Sequence, residues 1–222
     1  MKSAFFATIL ALAPVAGMCQ ATAGAPAAAP ASASSVFTGE LGYSFAYPGD
    51  WEFVDTKPMM PAAHQQAAEN ATTDPEKKGA ECAQIGFLVR SGNPPSVIMS
   101  LTLPFDCFGS KFSQDDLPSL GEGIAGGMKK NFDTADPMYD AYKIGSHRIW
   151  IERAKGSVKG HSEVTYTLET ACTILDKGMV CLFTMAKDDA ALALFEKSAV
   201  TLEGEKADAL VPATVFAGDK KK

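Results

Sequence analysis

The chain has no Cys-x-x-Cys pair, and none of its three histidines, His64, His147 and His161, stands at ligand spacing from a cysteine. Structural zinc takes four such donors at short intervals, so the cysteines are not read as a metal site. No metal and no other cofactor is expected. The basic residues number 20 against 26 acidic ones, a formal net charge of −6, and they do not cluster on one stretch. Nucleic-acid binding rests on neutralising phosphates, so an acidic chain of this kind is a poor candidate for it. No second long apolar run follows the N-terminal one, so no stable membrane span is expected. No internal repeat is evident. Two catalytic motifs stop short of completion. Gly160-His161-Ser162 would need glycine where Val164 stands to form a hydrolase elbow. A P-loop would need lysine where Met128 follows the glycines of Gly121–Gly127.

What is present begins with an export signal. Lys2 precedes the apolar stretch Ala4–Ala16, and Ala21-Thr22-Ala23 supplies an A-x-A cleavage site. Residues 1–23 therefore read as a signal peptide and the mature chain as periplasmic or extracellular. Cys19 raises lipid attachment, which normally follows a small residue; Met18 occupies that place, and soluble export is the expectation. Residues 24–35 are almost wholly Ala, Pro, Ser and Gly, with too little bulky apolar surface to offset ordering, and read as a disordered linker. Residues 205–222, ending in Lys220-Lys221-Lys222, read as a flexible tail. What remains, residues 36–204, is long enough for one core in a chain that is 46% hydrophobic.

That core is organised around Leu41–Asp55. Tyr43, Phe45 and Tyr47 alternate with Ser44 and Ala46, the period of a strand with one bulky face. Pro48-Gly49 suits the centre of a tight turn, after which Trp51 and Phe53 alternate with Glu52 and Val54. The reading is a hairpin-like start with aromatic rings that each bury roughly 150–250 Å². For Trp51 a core position is expected; for Trp150 core and binding surface stand level.

Apart from Cys19, four cysteines remain, and an even count in an exported chain points to disulfides. Asp176-Lys177-Gly178 separates two β-rich runs, and pairing Leu175 with Gly178 sets Cys172 opposite Cys181, within bonding distance. Folding a second pair of runs, Cys82–Arg90 and Val97–Leu103, about the Pro94–Pro95 bond sets Cys82 opposite Cys107. A second proline in such a turn fits best with a cis bond before Pro95. In the chain-entropy model the longer and shorter bridges contribute about 3.5 and about 2.7 kcal/mol.

Between these features, Lys57–Thr73 reads as a helix over Pro61–Asn70 or a mobile excursion. Leu117, Leu120, Ile124 and Met128 fall at helical spacing, with Asp115 and Asp116 at the positive end, giving a helix over Leu117–Phe132 weakened by its glycines. Met138–Ile144, Ser146–Arg153, Val164–Leu175 and Met179–Ala186 read as strands. A helix follows from Asp188, then a short strand over Val200–Leu202. The expected fold class is α+β: one mainly antiparallel sheet covered by two or three helices.

The opening Gly42, Tyr43, Ser44, Phe45, Tyr47, Pro48 and Trp51, as G-Y-S-F-x-Y-P-x-x-W, resembles the start of PsbP-like domains, which share an α/β/α sandwich superfamily with the yeast Ran-binding Mog protein. The late helix and short strand of Asp188–Leu202 are also similar. The paired cysteines, and the Met59–Lys78 excursion, depart from that pattern. The resemblance implies a domain that binds a protein or assists an assembly without catalysis. It supplies no active-site residues.

Gly121-Glu122-Gly123-Ile124-Ala125-Gly126 matches G-x-G-x-x-G, but no strand precedes it and the glycines fall inside a helical pattern. His147 shares a strand face with Ile149 and Ile151 and reads as structural. Three functions are carried forward. The first is an exported, non-catalytic binding or assembly module with a protein partner. The second is a small-molecule or lipid carrier with a cavity between sheet and helix beneath Gly121–Gly127. The third, least favoured, is a hydrolase using His161 and Ser162.

Overall fold

The computed structural model describes residues 34–187, 200–206 and 211–212. The expected signal peptide, most of the linker, the helix from Asp188 and most of the tail lie outside the described residues. The chain opens with β1 (Ser34–Thr38), β2 (Tyr43–Pro48) and β3 (Glu52–Phe53). Two helices follow, α1 (Met60–Asn70) and α2 (Asp74–Cys82), then the hairpin β4 (Gln84–Ser91) and β5 (Ser96–Pro104). Next come α3 (Phe105–Phe108), α4 (Leu117–Lys129) and β6 (Phe132–Thr134). The long strands β7 (Met138–Ile144), β8 (His147–Val158), β9 (His161–Leu175) and β10 (Gly178–Ala186) form a meander. β11 (Val200–Leu202), β12 (Glu205–Lys206) and β13 (Val211–Pro212) close the described chain.

The strands form two antiparallel sheets, which corrects the expectation of one. Nine strands make the larger, in the order β13-β7-β8-β9-β10-β5-β4-β3 with β6 attached to β8; the smaller runs β1-β2-β11-β12. The aromatic ribbon is where the expectation fails. The Pro48-Gly49 turn forms, with Trp51 N donating to Pro48 O at 3.0 Å. Its two arms, however, enter different sheets: β2 pairs with β1 and β11, and β3 pairs with β4. Pairing also begins at Ser34, inside the segment read as linker, and continues through Glu205–Lys206 and Val211–Pro212, inside the segment read as tail.

Three layers result. One face of the large sheet carries Leu101, Leu103, Trp150, Cys172, Ile174, Met179, Cys181 and Phe183, buried against Leu117, Leu120 and Ile124 of α4 and Phe105 of α3. The other face carries Phe87, Val89, Ile98, Ile149, Ile151, Val180 and Leu182, buried against Tyr43, Phe45, Val200 and Leu202 of the small sheet. Alternate side chains of each strand thus serve opposite cores, as a doubly covered sheet requires. Rings from both sheets interleave: Phe53–Phe37 at 6.3 Å, Phe37–Phe87 at 5.0 Å and Phe87–Phe45 at 5.2 Å between centroids. Trp51 is partly buried against this core, while Phe53 remains 47% exposed.

Tyr43 pins the sheets together. Its side chain is 1% exposed and its hydroxyl lies 2.7 Å from Ser100 Oγ, which also accepts from Phe87 N at 3.0 Å. A Cβ at Gly39 or at Gly86 would land on the Tyr43 ring or hydroxyl, so both glycines make room for it. Burial pushes the Tyr43 phenol up to about 12, with the Ser100 hydrogen bond opposing.

Local boundaries shift for identifiable reasons. The sequence gives little sign of α2, because among its described side chains Gly79, Ala80 and Cys82 are buried while Asp74, Lys77, Lys78 and Glu81 are exposed. Cys82 therefore ends a helix instead of starting a strand. In the β4–β5 hairpin Ser91 pairs with Ser96 and Ile85 with Leu101, a tighter register than a fold about Pro94–Pro95 gives; the cis bond precedes Pro94, not Pro95. α4 stops at Lys129, and Phe132 instead starts β6, buried with Tyr166 and Leu168. β8 runs through Lys155-Gly156-Ser157, with an irregularity in its pairing to β9 between Gly156 and Val158.

Candidate functional site

The glycine motif resolves into packing. Gly121 lies in α4 where an added Cβ would run into the Trp150 indole, and Trp150 is 3% exposed. The helix can approach β8 closely because one residue of it has no side chain. The Trp150 ring, with Leu117, Leu120 and Ile124, fills the space beneath α4 that the carrier reading would need open. A cavity of about 10 Å³ lies on the other face of the sheet, lined by Tyr43, Ile149, Ala171, Val180, Val200 and Leu202 among others. That is at the lower limit for a single water, and its walls are apolar.

The three histidines sit in three different places. His161 and Ser162 are successive residues of β9, both exposed, so their side chains project to opposite faces of the strand. His161 Nδ1 instead lies 3.4 Å from Glu163 Oε1. His64 Nε2 is 2.6 Å from the Ala83 carbonyl oxygen. His147, 9% exposed, places Nε2 3.3 Å from Glu203 and 3.4 Å from Glu205. This last arrangement ties the turn before β8 to the β11–β12 hairpin. Ser146 N donates to Glu205 Oε2 at 2.8 Å, and Asp176 N donates to Glu203 Oε1 at 2.8 Å. The Ser146 backbone donor holds the Glu205 carboxyl below its ordinary range, with lesser help from the Ser146 hydroxyl, His147 and Lys143. Among the described residues no group of His, Cys, Asp and Glu side chains is arranged to hold a metal ion.

A second polar cluster lies on the small-sheet face of β7–β9. Arg153 pairs with Glu169, which is 1% exposed, and lies 3.6 Å from Asp140 Oδ2. Its guanidinium is 6.0 Å from the Tyr142 ring centroid, and the Tyr142 hydroxyl donates to Asp140 at 2.9 Å. Here a buried carboxylate is compensated by a guanidinium and the pair is fixed across neighbouring strands, a structural use of charge.

The four cysteines are joined as Cys82–Cys107 and Cys172–Cys181. Cys172 and Cys181 face each other directly across β9 and β10, their Cα atoms 4.1 Å apart, and both are fully buried on the face that carries Trp150, which pairs with Cys172. Cys82 closes α2 and is 1% exposed, whereas Cys107 in α3 is open to solvent.

Among the described residues the exposed large apolar side chains are Val36, Phe53, Met138 and Tyr139. Met138 and Tyr139, 69% and 53% exposed, are adjacent in β7. Among the described residues, β7 meets β13 only at Tyr142 and Lys143, so the outer edge of Met138–Ala141 carries no strand. The Tyr139 ring leans on Trp150 at 5.9 Å, and burial, then the Glu152 and Glu122 carboxylates, raise its phenol above the ordinary value. The sequence offers one signal for these two side chains, which project to opposite faces of β7: Pro137 and then two large apolar residues opening a strand. Without the sheet order nothing marks that strand as an edge.

No family model matches the chain, and no curated protein matches it by sequence. Among solved structures it is similar to the solution structure of cyanobacterial PsbP (CyanoP) from Synechocystis sp. PCC 6803, the group whose opening motif Gly42–Trp51 resembles. The alignment covers 81% of this chain and 98% of that one at 13% identity, with a TM-score of 0.43. Among the described residues no helix is long and apolar enough to cross a membrane.

Proposed function

We propose that this chain is an exported, PsbP-like, non-catalytic module that binds a protein partner or assists an assembly. Two bridges suit an oxidising compartment, and the N-terminal signal sends the chain to one. The residues that suggested chemistry have structural uses: Gly121 admits Trp150, His147 joins two carboxylates, and His161 and Ser162 point apart. The observation that carries the reading is Met138 and Tyr139, large apolar side chains left in water on the two faces of a strand whose outer edge at Met138–Ala141 is unpaired among the described residues. A strand edge without a neighbour presents backbone N–H and C=O groups with which another chain can pair.

The test compares the oxidised wild type with a Met138→Lys/Tyr139→Lys variant, each immobilised and exposed to graded envelope extract from the source cell. Saturable retention of the same protein by the wild type, lost in the variant, is the expected result. Retention that is absent, or equal in both, overturns the reading.

A further inference from the structure

The two bridges differ in access and in what they fasten. Cys172–Cys181 is fully buried and lies inside a hairpin already paired from Gly178 opposite Leu175 to Ala186 opposite Thr167. Cutting it changes no connection between elements. Cys82–Cys107 is half buried and half open: Cys82 is enclosed, Cys107 is not. It fastens the end of α2 to α3, and so closes the α1–α2 excursion onto the sheet. Among the described residues its other ties include the His64 contact with the Ala83 carbonyl and the small side chains Ala63, Ala67 and Ala80. A bridge that solvent reaches is the reducible kind, because the attacking thiolate must touch a sulfur.

We propose that Cys82–Cys107 is a thiol–disulfide exchange site for an exported dithiol protein, entered at Cys107, and that its reduction releases the α1–α2 helix pair. One thiolate of the dithiol attacks the Cys107 sulfur. The Cys82–Cys107 bond breaks, a mixed disulfide forms on Cys107, and the electron pair leaves on the Cys82 sulfur, which takes a proton from solvent. The second thiolate then attacks its own partner sulfur in the mixed disulfide. This expels Cys107 as a thiolate, which is protonated in turn. Two electrons pass, the dithiol becomes a disulfide, and the chain gains two thiols. Release follows because the bridge is the covalent tie between the end of α2 and α3, and the two thiols left behind hold neither helix to the other. The inference stands apart from the binding reading above and does not use β7.

The test is a timed reaction of the oxidised full chain with reduced thioredoxin as the probe dithiol. Cys19, where retained, is blocked beforehand; samples are quenched with a maleimide and mapped by mass spectrometry. Cys82 and Cys107 are expected to be labelled at least about tenfold faster than Cys172 and Cys181. Amide exchange over residues 60–82 is expected to rise by about tenfold on that reduction, with residues 161–186 unchanged. Both bridges opening together, or the buried one first, overturns the site. Selective opening with unchanged exchange over 60–82 overturns the release. A Cys172→Ala/Cys181→Ala variant leaves the exchange site intact and must release Cys82 and Cys107 at the wild-type rate; a slower rate also overturns the site.

Discussion

Gly121→Ala and Gly126→Ala are the same chemical change in the same helix, and the structure gives them opposite signs. Replacing a helical glycine by alanine removes backbone freedom from the unfolded chain and stabilises by about 0.8–1.0 kcal/mol. At Gly126 nothing lies within 4 Å of the added methyl, so that gain is realised. At Gly121 the methyl would overlap the Trp150 ring, with even the more distant Cδ2 only 2.8 Å away. Trp150 is buried under α4, beside Cys172 across β8 and β9 and with Tyr139 on its flank, and has little room to retreat. Overpacking of this kind costs about 1–3 kcal/mol, which offsets or exceeds the helix gain and leaves a net loss of up to about 2 kcal/mol. The two variants should then lie about 1–3 kcal/mol apart, or roughly 2–12 °C in Tm for a chain of this size. Urea unfolding under non-reducing conditions, with calorimetry, measures the gap. In a Trp150→Leu background the penalty at Gly121 should shrink while the gain at Gly126 persists. A Gly121→Ala variant as stable as Gly126→Ala would refute the assignment of that glycine to the indole.

Tyr43, with its phenol raised, binds its proton more tightly folded than unfolded, so its contribution is intact below pH 10 and is lost as pH rises toward 12. Tyr43→Phe should therefore lower stability by about 1 kcal/mol near neutrality, through the lost Ser100 partner, yet flatten the alkaline decline seen in urea titrations from pH 10 to 12. Glu205 behaves in the opposite sense. Its carboxyl is depressed from 4.5 by Ser146, so what it contributes is present above that pH and disappears as pH falls below it. Glu205→Gln should remove part of the acid-induced loss, read as a smaller drop in Tm between pH 5 and pH 3, while leaving the alkaline limb unchanged. Ser162→Ala and His161→Ala, both on an exposed stretch of β9, should leave stability within about 0.5 kcal/mol and retention of the partner unaltered.

What could be read from the sequence follows the distance over which each feature is decided. The β9–β10 hairpin is settled by a few adjacent residues. A turn at Asp176-Lys177 and two β-rich flanks fix the register, and Cys172 meets Cys181 as arithmetic requires. The helix of Leu117–Lys129 declares itself by spacing. Its glycines signalled close approach of another element but not which one, since Trp150 reaches it through tertiary packing alone. The aromatic ribbon failed for the same reason. Alternation shows that Tyr43 and Phe45 share a face, but the partner of that strand on one side is a Ser/Val/Phe stretch emerging from a polar, alanine-rich linker, and on the other Val200–Leu202. Neither is legible as a neighbour from local pattern. α2 was missed because its buried side is made of glycine, alanine and cysteine, which carry little periodic signal. Met138 and Tyr139 were read as part of a strand, and only the sheet order shows that strand to be an edge.

The small sheet is stitched from segments far apart in sequence: β1 and β2 are the first of the described strands, β11 and β12 among the last of them. Tyr43 and Phe45 thus have no completed layer above the large sheet until Val200 and Leu202 have emerged. A chain still on the ribosome, lacking those residues, cannot shut its core, and bringing its ends together is the slow, high-contact-order step. Until then the face of the large sheet that carries Phe87, Val180 and Leu182 lacks part of its cover.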